Sequence, residues 1–129
     1  MSIIGIDAGC TMTKIINVDE NENIVHKDTL KKSTIMQSLE TFLSKNNINK
    51  SDISEFVITG VGTDKIKENI YGIKTTKVDE FDAIAKGGLY LANKKEALIV
   101  SAGTGTALVM ANENEHGPPL HSVHRMYNS

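Results

Sequence analysis

Short apolar runs, separated by small or polar residues, occupy the first thirty residues of the chain. They cover residues 3–7, 13–18 and 24–30. Runs of this length that are rich in isoleucine and valine predict strands. Because the stretches between them are short, we expect three neighbouring strands in an antiparallel meander.

A helix is predicted after the third strand. Thr34 is followed three residues later by Gln37, which is the spacing of a capping box. Four apolar residues then recur at helical spacing, at Ile35, Leu39, Phe42 and Leu43. We therefore expect an amphipathic helix that ends near Asn46.

The next segment alternates strand and helix signals. Residues 55–60 form a dense apolar run, which is typical of a strand buried on both faces in a mixed or parallel sheet. Thr63 is placed to cap a short helix over residues 64–69, and residues 73–78 predict a further strand. This alternation predicts an α/β fold with helices packed on a mixed sheet.

The last predicted helix begins after Asp79, a suitable N-cap, and runs to about Asn93. Strands predicted at residues 96–101 and 107–111 flank a turn rich in glycine and threonine. This hairpin repeats the order of the first one. Two such units are expected where two similar lobes hold one nucleotide, and only the start of a second lobe fits in these residues.

Composition narrows the function classes. The chain has 129 residues and a formal net charge of −2, so no basic surface indicates nucleic acid as a partner. Cys10 is the single cysteine, which excludes an internal disulfide and fits a reducing, cytoplasmic setting. The apolar start meets Gly5 and Asp7 within a few residues, so it predicts neither a signal peptide nor a membrane span.

The turn between the first two strands, from Asp7 to Lys14, combines an acidic residue with glycine and hydroxyl residues. Gly9 allows the backbone to bend sharply and to approach a ligand, and successive N–H groups in such a turn can bind an anion. Asp7 would repel a phosphate unless Mg²⁺ or its water lay between them. The turn is therefore either an ordinary hairpin or a metal-nucleotide site.

Other candidate positions also have two interpretations. Glu80 lies in the first turn of the last predicted helix, where it either complements the helix dipole or accepts a proton from an alcohol. The turn at residues 103–106 is either a tight hairpin or an anion site. The glycine-rich loop at residues 59–62 is interpreted as a strand-to-helix turn, because Lys65 stands where a dinucleotide loop would need a third glycine.

Four segments occur together in one order, "GIDAGCTMTKI", "VITGVG", "VDEFDAIAKG" and "IVSAGTGTALV". In this order they resemble the N-terminal portion of the type II pantothenate kinases, the Fumble-like bacterial branch of the superfamily of acetate and sugar kinases, heat-shock cognate proteins and actin. The resemblance covers residues 2–111. It implies an actin-like ATPase lobe with a ribonuclease H-like α/β fold over residues 1–95 and the first hairpin of an incomplete second lobe over residues 96–111. An irregular tail is expected at residues 112–129.

The resemblance implies transfer of a phosphate group from ATP to pantothenate, in coenzyme A biosynthesis, with ATP and Mg²⁺ as cofactors. Glu80 would be the general base, and Asp7 would hold Mg²⁺, through water. The residues implied to line the ATP phosphates are Asp7, Gly9, Thr11, Thr13, Lys14 and Gly103. Those implied to bind the substrate are Thr104, Gly105 and Thr106.

Two departures from the family pattern leave a second function open. Cys10 replaces a second glycine of the phosphate turn, and the rest of the second lobe is replaced by a proline-containing tail. The chain is thus either the N-terminal part of an active kinase or a catalytically incompetent remnant that serves as a nucleotide-binding or assembly module. An incomplete second hairpin predicts an exposed strand edge and, through it, a homodimer. Activators of 2-hydroxyacyl-CoA dehydratases are the nearest competing family, although Cys10 is poorly placed for the iron–sulfur cluster that they typically bind.

Overall fold

The computed structural model describes the backbone of residues 1–31, 33–102, 106–112 and 124–126, and the side chains of residues 1–31, 33–101 and 109–112. Contacts between residues divide the chain into two units, Met1–Val78 and Asp79–Ser129. The predicted boundary between residues 95 and 96 stays a prediction. None of the helices in the described ranges is long and apolar enough to cross a membrane.

The first unit is a five-stranded mixed sheet with one long helix. Its elements are β1 (Ser2–Ala8), β2 (Met12–Val18), β3 (Ile24–Lys31), α1 (Ile35–Lys45), β4 (Ile53–Thr59) and β5 (Thr75–Lys77). The strand order is β3-β2-β1-β4-β5. The pairs β1–β2 and β2–β3 are antiparallel, whereas β1–β4 and β4–β5 are parallel. The predicted meander, the first helix and the mixed sheet are thus confirmed.

The core of this unit lies between α1 and one face of the sheet. Alternate residues of β1, β2 and β4 point into it, and Phe42 of α1 and Phe56 of β4 are fully buried there. The capping box at Thr34 forms as predicted, with Gln37 N–H donating to Thr34 Oγ1 at 3.1 Å. On the other face of β4, Val57 and Thr59 are half-buried, so that the predicted burial on both faces is partial.

The helix predicted over residues 64–69 is wrong. The structure has a 3-10 turn at Val61–Lys65 and a second one at Ile70–Gly72. Thr63 does not cap a helix, because its hydroxyl donates back to the Gly60 carbonyl at 3.0 Å. Ile66 and Ile70 are both buried in the core, and a short loop between the two turns connects them.

The second unit contains α2 (Glu80–Ala92), β6 (Glu96–Ala102), β7 (Thr106–Asn112) and β8 (His124–Met126). Its strands form an antiparallel sheet in the order β6-β7-β8. Asp79 caps α2 as predicted, with its carboxylate accepting from the Phe81 N–H at 3.0 Å. The α2 helix contacts β6 and β7.

The tail predicted to be irregular, residues 112–129, lies outside the described residues except for Asn112 in β7 and the strand β8. The hydrophobic pattern did not predict β8, whose three residues pair with the beginning of β7. Among the described strands, β6 pairs with β7 alone, and the homodimer expected through a strand edge stays a prediction.

Candidate functional site

A tight turn joins β1 to β2 at residues 9–12. The Gly9 N–H donates to the Met12 carbonyl at 3.0 Å, so that Cys10 and Thr11 form the tip of the hairpin, and both are exposed. A Cβ atom at position 9 would lie 2.9 Å from the Met12 carbonyl oxygen. A side chain there would push the two strand ends apart, and glycine is therefore required by the close approach of the backbone.

Strand pairing aligns Asp7 and Lys14 beside this turn. Asp7 of β1 lies opposite Lys14 of β2 and, on its other side, next to Thr59 of β4. Asp7 is half-buried and Lys14 is exposed. Within the part of the chain whose side chains are described, no ion pair involves either residue. The carboxylate and the ammonium group are thus both available to a ligand.

The predicted phosphate-binding residues do not all lie on the same face of the sheet. Residues of one strand alternate between the faces, and Asp7 and Lys14 share the face opposite the core. Thr13 is only 3% exposed and lies on the core face with Ala8 and Ile15. The Thr13 hydroxyl is therefore separated from the other predicted side chains by the sheet, and its role in phosphate binding stays a prediction.

The loop after β4 packs against the end of β1. Gly60 has a φ of 99°, and a Cβ atom there would lie 2.5 Å from the Ala8 carbonyl oxygen. A Cβ atom on Gly62 would lie 3.0 Å from the Ala8 Cβ. This glycine-rich loop leads into a 3-10 turn instead of the predicted helix, and it fixes the end of β4 beside the hairpin that carries Asp7. The glycine spacing alone did not indicate that role.

Glu80 occupies the first turn of α2 and is exposed. The Asp79 carboxylate accepts from the N–H groups of Phe81 and Asp82, at 3.0 and 3.3 Å, and thereby fixes the start of the helix. Glu80 belongs to the second unit and Asp7 to the first. The assignment of Glu80 as general base stays a prediction.

The second predicted phosphate turn lies largely outside the described residues. Three of its residues are not described, Gly103, Thr104 and Gly105. Only the backbone of Thr106 is described, as the first residue of β7. The roles predicted for these four residues stay predictions.

Asp7 is the predicted metal residue of the first unit. Among the described residues, no cluster of three or more histidine, cysteine, aspartate or glutamate side chains could hold a metal ion. Mg²⁺ keeps several water ligands and is usually bound through one or two carboxylates together with substrate phosphates, rather than by a cage of protein groups. Asp7 beside the hairpin tip fits binding through one carboxylate together with substrate phosphates.

Comparison with known proteins places the chain in a family. The model of the BadF/BadG/BcrA/BcrD ATPase family matches residues 4–117. No curated protein matches the sequence. Similar solved structures include the activator of the 2-hydroxyisocaproyl-CoA dehydratase from Clostridium difficile with bound ADPNP, which has a TM-score of 0.68 and 21% identity. That match covers 88% of this chain and 42% of the activator.

Two further structures show the same fold. Component A of the (R)-2-hydroxyglutaryl-CoA dehydratase from Acidaminococcus fermentans has a TM-score of 0.70 and 21% identity, over 87% of this chain and 43% of that one. A ROK family glucokinase from Streptomyces griseus, in complex with glucose and AMPPNP, has a TM-score of 0.64 and 14% identity, over 98% and 49%. The chain thus spans less than half the length of each of these proteins.

These matches confirm the predicted fold, while the more specific resemblance to pantothenate kinases stays a prediction. The mixed sheet with its N-terminal meander is the actin-like ATPase fold of these neighbours. The chain belongs to the BadF/BadG/BcrA/BcrD ATPase family.

Proposed function

We propose that this chain binds the phosphates of Mg²⁺-ATP at the tip of the β1–β2 hairpin. The observation that carries the proposal is the position of Asp7 and Lys14, which form no ion pair among the described side chains, beside the narrow turn at Gly9. This turn lies at the carboxyl ends of the parallel strands β1 and β4. In open α/β sheets, ligands bind outside the carboxyl ends of the strands.

Each group has a distinct part in this proposal. The tip residues Cys10 and Thr11 are exposed, and their backbone N–H groups and the Thr11 hydroxyl face the phosphate oxygens. The Lys14 ammonium balances the negative charge of the phosphates. Asp7 holds the hydrated Mg²⁺. The metal ion would lie between the carboxylate and the phosphates and would neutralise the repulsion between their negative charges. Two of the similar structures contain the ATP analogues ADPNP and AMPPNP, which supports a nucleotide as the ligand.

A narrower proposal concerns the phosphate acceptor. The exposed position of Glu80 in the first turn of α2 supports a phosphotransferase in which this carboxylate accepts the proton of an alcohol. Pantothenate is the acceptor that we propose from the sequence motifs, with coenzyme A biosynthesis in the cytoplasm as the setting. The dehydratase activators among the similar structures provide the second candidate, an ATPase that acts on a partner protein.

Calorimetric titration with Mg²⁺-AMPPNP tests the nucleotide site. We expect Asp7→Asn to weaken binding about tenfold or more, since removing one charged group from a metal site costs this much in affinity. Asp52→Asn is the matched control, because Asp52 is exposed and lies near Ser2, at the opposite end of β1. Equal affinity for the wild type and Asp7→Asn would contradict the proposed site.

A further inference from the structure

Three polar residues lie in a row across neighbouring strands. Lys14 of β2 is the register partner of Asp7 of β1, and Asp7 is in turn the register partner of Thr59, the last residue of β4. The alternation of burial along each strand places all three on the face opposite the core. The segment VITGVG contains Thr59, but the sequence does not show its place beside Asp7, because the two residues lie more than forty positions apart.

The Thr59 hydroxyl differs from those of nearby threonines. Its Oγ1 atom is buried and has no hydrogen-bond partner among the described atoms. Three threonine hydroxyls in the segments that follow β4 are bonded. Thr63 donates to the Gly60 carbonyl at 3.0 Å, Thr75 to the Ile73 carbonyl at 2.9 Å, and Thr76 to the Glu55 carboxylate at 2.5 Å. A buried hydroxyl without a partner costs free energy that a valine of the same shape would avoid.

The backbone around Thr59 is fixed. Gly60 follows it with a φ of 99° and lies directly against the Ala8 carbonyl. Thr59 itself is half-buried. Rotation about its χ1 angle moves the hydroxyl to another staggered position without moving the backbone, and it breaks no hydrogen bond among the described atoms. The hydroxyl can thus turn towards a ligand beside Asp7.

We propose that Thr59 is a positioning residue for the metal, whose hydroxyl bonds a water molecule of the hydrated Mg²⁺ that Asp7 holds. This inference rests on the proposed nucleotide site. Mg²⁺ retains several waters when it binds through one carboxylate, and outer-shell hydrogen bonds from the protein orient the ligands of a bound metal. Thr59 lies next to the one carboxylate in the row and carries a buried hydroxyl that has no partner among the described atoms. Its contribution should therefore depend on the metal.

The test compares Thr59→Val, which keeps the shape and removes the hydroxyl, with Thr59→Ser, which keeps the hydroxyl. AMPPNP affinity is measured by calorimetry in Mg²⁺ and in EDTA. We expect Thr59→Val to lose about three- to tenfold in Mg²⁺, and to match the wild type in EDTA. Thr59→Ser should stay within about twofold of the wild type in both conditions, because its hydroxyl can still bond the water. Thr59→Ala supplies an independent variant without a hydroxyl.

The outcomes separate this inference from the function beneath it. If Thr59→Val binds as tightly as the wild type in Mg²⁺ while Asp7→Asn binds more weakly, the nucleotide site stands and the role of Thr59 is wrong. A loss that is equal in Mg²⁺ and EDTA also overturns the role, since it would then be independent of the metal. If the wild type itself does not bind Mg²⁺-AMPPNP, the proposed site falls and this inference with it. Thermal melting of Thr59→Val separates affinity from stability, because loss of an unpaired hydroxyl with the shape retained should leave the melting temperature equal or higher.

Discussion

Gly60 shows how one residue holds the candidate site together. Its φ of 99° and ψ of 175° belong to a region that is essentially restricted to glycine, and its backbone lies against the Ala8 carbonyl. Gly72 also has a positive φ, 72°, but a Cβ atom there would meet nothing within 4 Å. The two glycines thus share a backbone requirement and differ in the space around them.

We therefore expect Gly60→Ala to lower the free energy of unfolding by about 2 kcal/mol or more, and Gly72→Ala by about 1 kcal/mol. The larger loss at Gly60 includes the contact with Ala8, since a Cβ atom 2.5 Å from a backbone oxygen forces β1 and β4 apart. Urea denaturation of both variants supplies the comparison. If the two variants lose the same stability, the contact at Ala8 does not limit the position of β4.

Particular residues show what the sequence could predict at this scale. The Thr34–Gln37 box and the Asp79 cap were predictable, because a cap depends on side chains three residues apart or fewer. The place of Thr59 beside Asp7 was not, since it follows from the pairing of two strands that are far apart in the sequence. Thr63 has the residue type and position of a helix cap, and the sequence therefore predicts one. Its hydroxyl instead donates to a carbonyl, and among the described residues it accepts from no N–H group of a helix.

Within the elements, α2 combines an unpacked position with a crowded one. A Cβ atom on Gly87 would meet nothing within 4 Å, whereas one on Gly88 would lie 2.6 Å from the Cδ1 of Ile99 in β6. Gly88 therefore allows the helix to lie close to the sheet of the second unit. The apolar spacing predicted the helix. The sequence alone did not show which of the two glycines lies against β6.

The two positions give opposite predictions for the same substitution. Gly87→Ala should raise the free energy of unfolding by about 0.5–1 kcal/mol, because alanine in a helix interior avoids the entropy cost of glycine. Gly88→Ala should lower it by about 1 kcal/mol, since the cost of overpacking against Ile99 exceeds that gain. Thermal unfolding of the matched variants checks the sign of each change. A stabilising Gly88→Ala would show that Ile99 moves aside at little cost.

α1 is held to the first sheet by charge as well as by its apolar face. The Lys45 ammonium at its last turn bonds the Asp28 carboxylate of β3 at 2.6 Å and holds the pKa of Asp28 below its ordinary value. Glu40 of α1 makes a second set of polar contacts, with residues of two 3-10 turns. The Tyr71 hydroxyl and the Lys50 ammonium both bond its carboxylate and lower the pKa of Glu40. These pairs join elements distant in sequence, and single-residue patterns do not indicate them.

For the whole molecule, the groups proposed for chemistry lie in different units. Asp7 and Lys14 belong to the first unit and Glu80 to the second. Phosphate transfer requires that donor and acceptor be aligned and that water be excluded from them. The chain spans less than half the length of the similar ATPase and kinase structures. We therefore expect nucleotide binding to be separate from turnover. The 129 residues should bind the nucleotide without transferring its phosphate.

Pantothenate-dependent release of ADP measures that separation. We expect the 129-residue chain to stay near background, although it binds Mg²⁺-AMPPNP, because binding at the hairpin tip alone does not align an acceptor alcohol with the phosphate. Glu80→Gln and its neighbour Asp82→Asn serve as matched variants, since both residues are exposed in the first turn of α2. Robust turnover that Glu80→Gln abolishes and Asp82→Asn retains would contradict the expectation. It would show that these residues suffice for the proton transfer and for the alignment of the acceptor.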